Sequence, residues 1–456
     1  MDNIDVEKIP TNKVHVQHDQ DEIGPWDAWA AILRNISKEE AVPETEKDNA
    51  FDDVLEHCKK MDGSVSVEDQ ITKIWDMLKI TNKEIDAMKD ICNALEKALE
   101  AEFPDCKAFP FGSSASGLGF CNCDLDVYVE LGYSSKDEAF NEKTGMWGVK
   151  FRTETTFKLL KKTARFKNAI SVLNARIPIV KFRDKLTGIN CDVNVVSCLG
   201  VRNTKYLAFC TELDNRVSPL VCVIKYFCKV QEIISSGPGD HMNSYTLVLM
   251  VIFFLQKRGI LHPLEVLQQG VDSDEVNGWN FAFCRDFSKL PELRPNPSSL
   301  LNLLLQFFTF YVNFSYGDNI VCPLVGWTVK KCNLNQGTKD QLELDRPLVV
   351  QDPFELTRNV GHAVSRQRLK HMLAEFSRAV ELLEDLKIRT TEVVRFWMLL
   401  EPGMISYRDI LSRRFDESLK QLRLDVKDES ESREENHCDY QIKRGWGGGG
   451  CVDSFY

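Results

Sequence analysis

The sequence predicts an α+β protein in which a mixed-sheet part and a mainly helical part are separate. Three observations carry this. Leu125-Asp-Val-Tyr-Val129 has strand composition and follows a stretch rich in Gly and Ser. Two further short apolar runs, 177–183 and 189–196, flank the turn-like Lys185-Leu-Thr-Gly188 and are expected to pair as a hairpin. Beyond Asn203 the pattern turns helical and is expected to stay so. A length of 456 residues leaves room for two or three domains with ample core.

In chain order, residues 1–65 are acidic and lack sustained periodicity, so weak order is expected, apart from a short docking helix over Ile23–Arg34. Ser66-Val-Glu-Asp69 opens like a capping box. Helices follow over 67–79 and 83–101, the second with Ile85, Met88, Ile91, Leu95 and Leu99 on one stripe. Residues 102–203 read as the α/β part. Within it, Thr153–Asn168 reads as a basic amphipathic helix, with Phe157, Leu160 and Ala164 inward and Lys158, Lys161, Lys162 and Arg165 outward. The helical part, 204–390, should hold helices near 204–212, 217–233, 243–257, 262–268, 297–312 and 361–388. Pro291–Pro297 marks a linker, and the very apolar Leu300–Phe314 reads as core. A helical extension over 391–424 and a disordered, Gly-rich tail over 425–456 complete the chain.

The chemistry concentrates in Phe111-Gly-Ser-Ser-Ala-Ser-Gly-Leu-Gly-Phe-Cys-Asn-Cys-Asp-Leu-Asp126. Gly112 and Ser113 open a small-residue segment in which backbone N–H groups can approach a phosphate. Asp124 and Asp126 stand two apart at a strand, so both carboxylates project from one face. Carboxylates held side by side repel unless a cation lies between them, and oxygen-only ligands suit Mg²⁺, with Mn²⁺ as the alternative. A third carboxylate should come from Asp192, which alternates with Cys191, Val193 and Val195. A phosphate cradle beside paired Asp residues is what metal-assisted nucleotidyl transfer requires.

Composition narrows the remaining classes. The 15 cysteines are scattered and odd in number, without a Cys-x-x-Cys, which argues against a disulfide framework or a zinc finger. The acidic start is unlike a signal or transit segment, and Tyr245–Gln256 is too short to span a bilayer. A reduced intracellular protein is expected, with cytoplasm placed ahead of nucleus and no membrane partner. The net charge of −11 is unevenly spread. Residues 1–56 hold 15 Asp/Glu against 5 Lys/Arg, whereas 150–185 holds 11 Lys/Arg against 2 acids. That basic stretch could meet RNA or simply face water.

The Gly-Ser-Ser…Asp-Leu-Asp wording with a later strand Asp resembles the DNA polymerase β-like nucleotidyltransferases, and among them the cytoplasmic-type poly(A) polymerases and terminal uridylyltransferases. The resemblance continues through Pro219–Lys229, Asn243–Met250 and Gln351–Gly361, and covers roughly 66–390. It implies a palm-like catalytic domain inserted in a helical central domain that also takes in the helices of 66–101, with the active site in the cleft between them. It implies that Asp124, Asp126 and Asp192 bind two metal ions. It also implies that Lys225 and Lys229, four apart on one helix face, reach the triphosphate together with Ser244, while Tyr245 stacks on the base and Asn203 reads the ribose 2′-hydroxyl. Asp352 and Glu355 would shape the base pocket. Arg358 stands where uridylyltransferases with this wording commonly carry a histidine; it could donate to a uracil carbonyl or turn outward to RNA, and His362 could substitute. A template-independent terminal uridylyltransferase acting with UTP on RNA 3′ ends is thus expected, with a poly(A) polymerase using ATP, a mixed-nucleotide tailing enzyme or a catalytically silent scaffold as the alternatives, and the catalytic unit is expected to be monomeric. No RNA-binding module is apparent, so target choice would depend on a partner protein.

Overall fold

Five strands form the central sheet in the order β1-β2-β5-β4-β3. In this computed structural model they are β1 (Lys107–Phe111), β2 (Leu125–Glu130), β3 (Phe166–Val172), β4 (Ile179–Asp184) and β5 (Asn190–Asn194). The structure describes residues 50–61, 65–131, 145–235, 239–334, 341–388 and 396–401, all within a unit that ends at Glu401. β2 and β5 run parallel, and every other pairing is antiparallel. The expected hairpin is present as β4–β5, turning through Gly188 at φ +77°. Pro110 lies in β1, an edge strand, where a missing N–H costs the ladder little.

Alternation along the strands divides the sheet into two faces. Leu125, Val127, Val129, Val180, Phe182, Cys191 and Val193 are buried on one face, against the Ile85–Leu99 stripe and Leu160. That stripe belongs to α3 (Asn82–Leu99), opened by a full Thr81/Glu84 capping box, and Leu160 to α4 (Gly145–Lys162). The other face carries Asp126, Tyr128 and Asp192. Part of it packs on α5 (Leu199–Leu213), where Ala115, Val201 and Ala208 meet Phe109, Phe111 and Tyr128.

A second, larger core is helical. It gathers α2 (Val67–Leu78), α6 (Val217–Val230), α7 (Ser244–Lys257), α9 (Leu300–Val312) and α10 (Arg366–Ile388). Phe227, Phe307, Phe308 and Phe376 interlock there edge to face or tilted, with centroids 5.0 to 6.3 Å apart. Burying one such ring is worth about 1.5–3 kcal/mol. α7 is apolar all round and buried from Leu247 to Leu255, as core and not as a membrane element. Among the described residues no helix is long and apolar enough to cross a membrane.

Several expectations change. The basic helix ends at Lys162, and Phe166–Val172 is the edge strand β3, with its inward Phe166 tilted against Phe182 at 4.4 Å between centroids. Ala164 is exposed, and Arg165 turns inward to join Asp184 at 2.5 Å and Asp90 at 2.7 Å. The two helices before residue 102 divide between the cores: α2 packs on α6, whereas α3 covers the sheet. Helical order already begins at Leu199, and the region beyond is interrupted by two small hairpins, at 275–280 and 319–330. An unexpected helix α1 (Ala50–Lys60) precedes Met61, and α8 (Leu264–Leu267) and α11 (Trp397–Leu400) are single turns. The Ile23–Arg34 helix, most of the 391–424 extension and the 425–456 tail lie outside the described residues.

Candidate active site

Asp126 and Asp192 are register partners on the parallel pair β2–β5, so their side chains emerge next to each other on the face away from the sheet core. Asp124 precedes β2, is exposed, and accepts from the Asn190 side-chain amide at 3.2 Å. Burial, then the charges of Asp192 and Asp124, push the Asp126 carboxyl up to about 7, with Lys181 pulling the other way. Lys181 is the cross-strand neighbour of Asp192, and its Nζ meets Asp192 Oδ2 at 2.5 Å. Lys181 was not singled out from sequence, though its place in a strand pairing with 189–196 was the available signal.

Directly above Asp126 the chain turns. Gly112, at φ +75°, follows β1, and a Cβ there would lie 2.6 Å from Asp126 Oδ2. Glycine is therefore required twice over, by conformation and by space. Gly119 is equally confined, since a Cβ would lie 2.5 Å from the Ser113 carbonyl. The Gly112 amide does not face outward: it donates to Thr204 Oγ1 at 2.8 Å. Ser113, next to it, is half-buried.

The segment 112–123 is fastened on three further sides. Cys121 N–H donates to Leu78 O at 2.7 Å, and Asn122 N–H to Glu84 Oε1 at 2.5 Å. Lys225 Nζ donates to Leu118 O at 2.6 Å and lies 4.6 Å from the Phe120 ring centroid. Lys225 is buried, and burial pulls its pKa below the ordinary lysine value. The two lysines do not share an open face: Lys225 holds the turn after Gly112 through Leu118 and Phe120, while Lys229 is exposed. One turn of helix is enough to separate them, because α6 is buried from Val217 to Cys228 and leaves the core only after Cys228.

The segment 352–358, expected from sequence to select the base, is a tight loop in which Asp352 N–H donates to Arg358 O and Arg358 N–H to Glu355 O. Asp352 is fully buried. Its Oδ1 accepts the Phe354 and Glu355 amides at 3.0 Å, and its Oδ2 accepts the Tyr245 hydroxyl at 3.1 Å. Burial raises the Asp352 pKa, with Arg358 and the two amides acting against it. Arg358 folds back along the loop, its Nη1 3.0 Å from Glu355 and 3.6 Å from Asp352. Glu355 also receives Arg176 from the β3–β4 connection, at 2.6 Å. Tyr245 and Ser244 begin α7 as expected, under an Asn243 cap. Asn203 lies inside α5, not at its cap, and its buried Oδ1 has no protein partner. His362 is exposed, with its ring on the Asn359 carbonyl.

Among the described residues, no group of three or more Asp, Glu, His or Cys side chains forms a ready-made metal cage. The oxygen-only set Asp124, Asp126 and Asp192 still fits Mg²⁺, which is ordinarily held by one or two carboxylates completed by substrate phosphates and water.

Two stretches of the chain match models of known protein families. Residues 67–212 match the family model of the central palm domain of mitochondrial-like poly(A) RNA polymerase, and 299–358 match that of the Cid1 family poly A polymerase. The mouse mitochondrial poly(A) RNA polymerase is 27% identical over 325 residues, 67% of this chain and 53% of the relative. Human terminal uridylyltransferase 7 is 28% identical over 337 residues, 72% of this chain and 20% of the relative. The chain spans about half the length of the first curated relatives it matches, at 53%, 54% and 47%. Among solved structures, mtPAP in complex with ATPgammaS matches with TM-score 0.66 at 24% identity, covering 82% of this chain and 76% of that one. The Cid1 poly(U) polymerase matches with TM-score 0.61 at 25% identity, covering 74% and 99%. Two stretches of the chain thus resemble the central palm domain of mitochondrial-like poly(A) RNA polymerase and the Cid1 family poly A polymerase, and the chain as a whole is similar to poly(A) polymerases and terminal uridylyltransferases.

Proposed function

We propose that the protein is a template-independent RNA 3′-terminal nucleotidyltransferase that adds UMP from UTP. The observation that carries this is the Asp126–Asp192 pair on adjacent parallel strands, set directly beneath the Gly112 turn. Mg²⁺, or Mn²⁺ in its place, would be held by Asp124, Asp126 and Asp192 and would supply charge neutralisation at the reacting phosphate. Asp192 would accept hydrogen bonding from, and help deprotonate, the RNA 3′-hydroxyl that attacks the α-phosphate in line. Ser113 would hold the outer phosphates, with Lys229 and Ser244 as the further polar groups beside them. Lys225 would act by keeping the turn in place. Asn203 Oδ1, buried and unpaired within the protein, is a ready acceptor for a ribose hydroxyl. The Tyr245 ring would stack on the base while its hydroxyl stays on Asp352.

The preference for UTP rests on the hydrogen-bond inventory of the base loop. Every carboxylate oxygen of Asp352 and Glu355 already accepts a donor within the protein. Arg358 offers donors only, and its described partners engage Nη1. A donor-only surface favours the uracil O4 acceptor over the adenine N6 amino group. Addition of AMP by the same chemistry is the second reading, favoured by the relatives named as poly(A) polymerases. RNA selection through a protein partner remains part of the proposal, since no separate RNA-reading module is recognised in the sequence.

The test uses purified protein, Mg²⁺ and a labelled oligo-RNA with a free 3′-hydroxyl, with each ribonucleoside triphosphate supplied singly. Extension with UTP, lost in Asp126→Ala, is the expected result. Extension with ATP alone would replace the uridylyl reading by the adenylyl one. Full extension by Asp126→Ala would end the nucleotidyl-transfer reading altogether.

A further inference from the structure

Arg176 lies between β3 and β4, on the sheet side of the molecule, yet its guanidinium reaches a carboxylate of the base loop 179 residues further along the chain. Arg176 Nη2 donates to Glu355 Oε1 at 2.6 Å, and Arg358 Nη1 donates to Glu355 Oε2 at 3.0 Å. Glu355 is thus held between two guanidiniums supplied by different parts of the fold. Its own side chain is 10% exposed, whereas that of Arg176 is 57% exposed. The glutamate is therefore the fixed member and the arginine the one that arrives from outside.

We infer that Arg176 is a specificity-determining positioning residue of the nucleobase pocket, acting by occupying the acceptor oxygen of Glu355 that a purine amino group would otherwise use. The inference rests on the nucleotidyl-transfer reading and deepens it. A carboxylate is an acceptor with no donor, and a guanidinium a donor with no acceptor. With Arg176 in place, each Glu355 oxygen already accepts from a guanidinium and the charge is compensated, so a base amino group would have to compete for what lone-pair capacity is left, and the loop presents mainly donors. Without it, Oε1 becomes a partly buried acceptor, and such a group left unpaired is costly until something donates to it. The adenine N6 amino group can donate there; the uracil O4 cannot. Arg176 therefore penalises ATP without touching it, and because it comes from the sheet side it also ties base choice to the approach of the two parts of the site.

The experiment compares kcat and KM for UTP and for ATP on an oligo-RNA, in the wild type, Arg176→Ala, Arg176→Lys, Glu355→Gln and the double variant Arg176→Ala/Glu355→Gln. A half-exposed ion pair supports an effect of roughly three- to tenfold in the UTP:ATP ratio of kcat/KM for Arg176→Ala, expressed mainly in KM. Arg176→Lys retains a cationic donor and should keep the ratio within about twofold of wild type. In the Glu355→Gln background the same Arg176→Ala change should move the ratio by less than about twofold, because the coupled partner is gone. An unchanged ratio in Arg176→Ala, or an equal shift in both backgrounds, would overturn the inference while leaving the enzyme reading intact. A wild-type protein that adds no nucleotide from either triphosphate would overturn the enzyme reading, and the inference with it.

Discussion

Asp126 and Asp192 stand beside each other on neighbouring strands with one lysine ammonium nearby, and the Asp126 carboxyl is pushed up to about 7. Asp352 and Glu355 sit in a loop where two backbone amides, a tyrosine hydroxyl and two guanidiniums answer every oxygen. Both pairs are acidic and both are at least half-buried, but the first is left short of positive charge and the second is saturated. The difference teaches what each is for. Under-compensated carboxylates are stabilised by a cation brought from outside, as a metal-dependent site demands. Carboxylates whose oxygens already accept donors within the protein are weaker acceptors for a ligand and hold those donors in position, which under the proposed function would set which base edge is tolerated.

The largest expected effect comes from removing the deficit. Asp126→Ala should lower RNA extension by at least about a thousandfold, since it takes away charge stabilisation at the reacting phosphate. Chelation of divalent ions should abolish wild-type extension, and re-addition of Mg²⁺ should restore it. Equal rates before and after chelation would break the comparison. Next, Gly112→Ala places a methyl group 2.6 Å from Asp126 Oδ2 at a positive φ. A loss of roughly ten- to a hundredfold in kcat, with the circular dichroism of the folded state retained, is expected from displacing a reacting group by that much. An unaffected kcat would show that the turn can move away from the carboxylate.

Arg358→Ala attacks the saturated pair. It leaves Glu355 short of one donor and the buried Asp352 without its nearby cation, and should destabilise the protein by about 1–3 kcal/mol in chemical denaturation. It should also lower the UTP:ATP preference. Stability unchanged within error would mean that the loop carboxylates do not need their guanidinium. The smallest effect sharpens the comparison through pH. In metal-free protein Asp126 holds its proton up to about pH 7, well above the ordinary carboxylate value of 3.8. The ionised form costs folding free energy, and that cost grows as pH rises from near 4 to 7 and is fully present above it. Asp126→Asn should therefore raise the melting temperature in EDTA by a few degrees at pH 8, and the gain should vanish near pH 4. A gain that is constant with pH would point to packing and not to charge.

The strands bearing Asp126 and Asp192 were legible because a period of two separates faces by residue type, and Cys191, Val193 and Val195 left no other side for Asp192, whereas Asp124 stands just before β2. β3 was not, because Lys167 and Asn168 interrupt the alternation and the strand follows a basic helix without a break in composition. The fates of the paired lysines were hidden for a different reason. Spacing puts Lys225 and Lys229 on one side of a helix, but how deep the helix is buried at each turn depends on elements far away in sequence, here Leu118 and Phe120. The Arg176–Glu355 contact was illegible in principle from local pattern: nothing near Arg176 signals a partner 179 residues away. Orphaned atoms such as Asn203 Oδ1 likewise become visible only once every neighbour has been placed.

The most direct test of the division between the two acidic pairs is calorimetric binding of non-hydrolysable UTP and ATP analogues, with and without Mg²⁺, to wild type, Asp126→Ala and Arg358→Ala. Asp126→Ala should lose the Mg²⁺-dependent part of binding to the same extent for both bases. Arg358→Ala should keep the Mg²⁺ dependence and narrow the difference between UTP and ATP. A base-dependent loss in Asp126→Ala, or a loss of Mg²⁺ dependence in Arg358→Ala, would contradict the account.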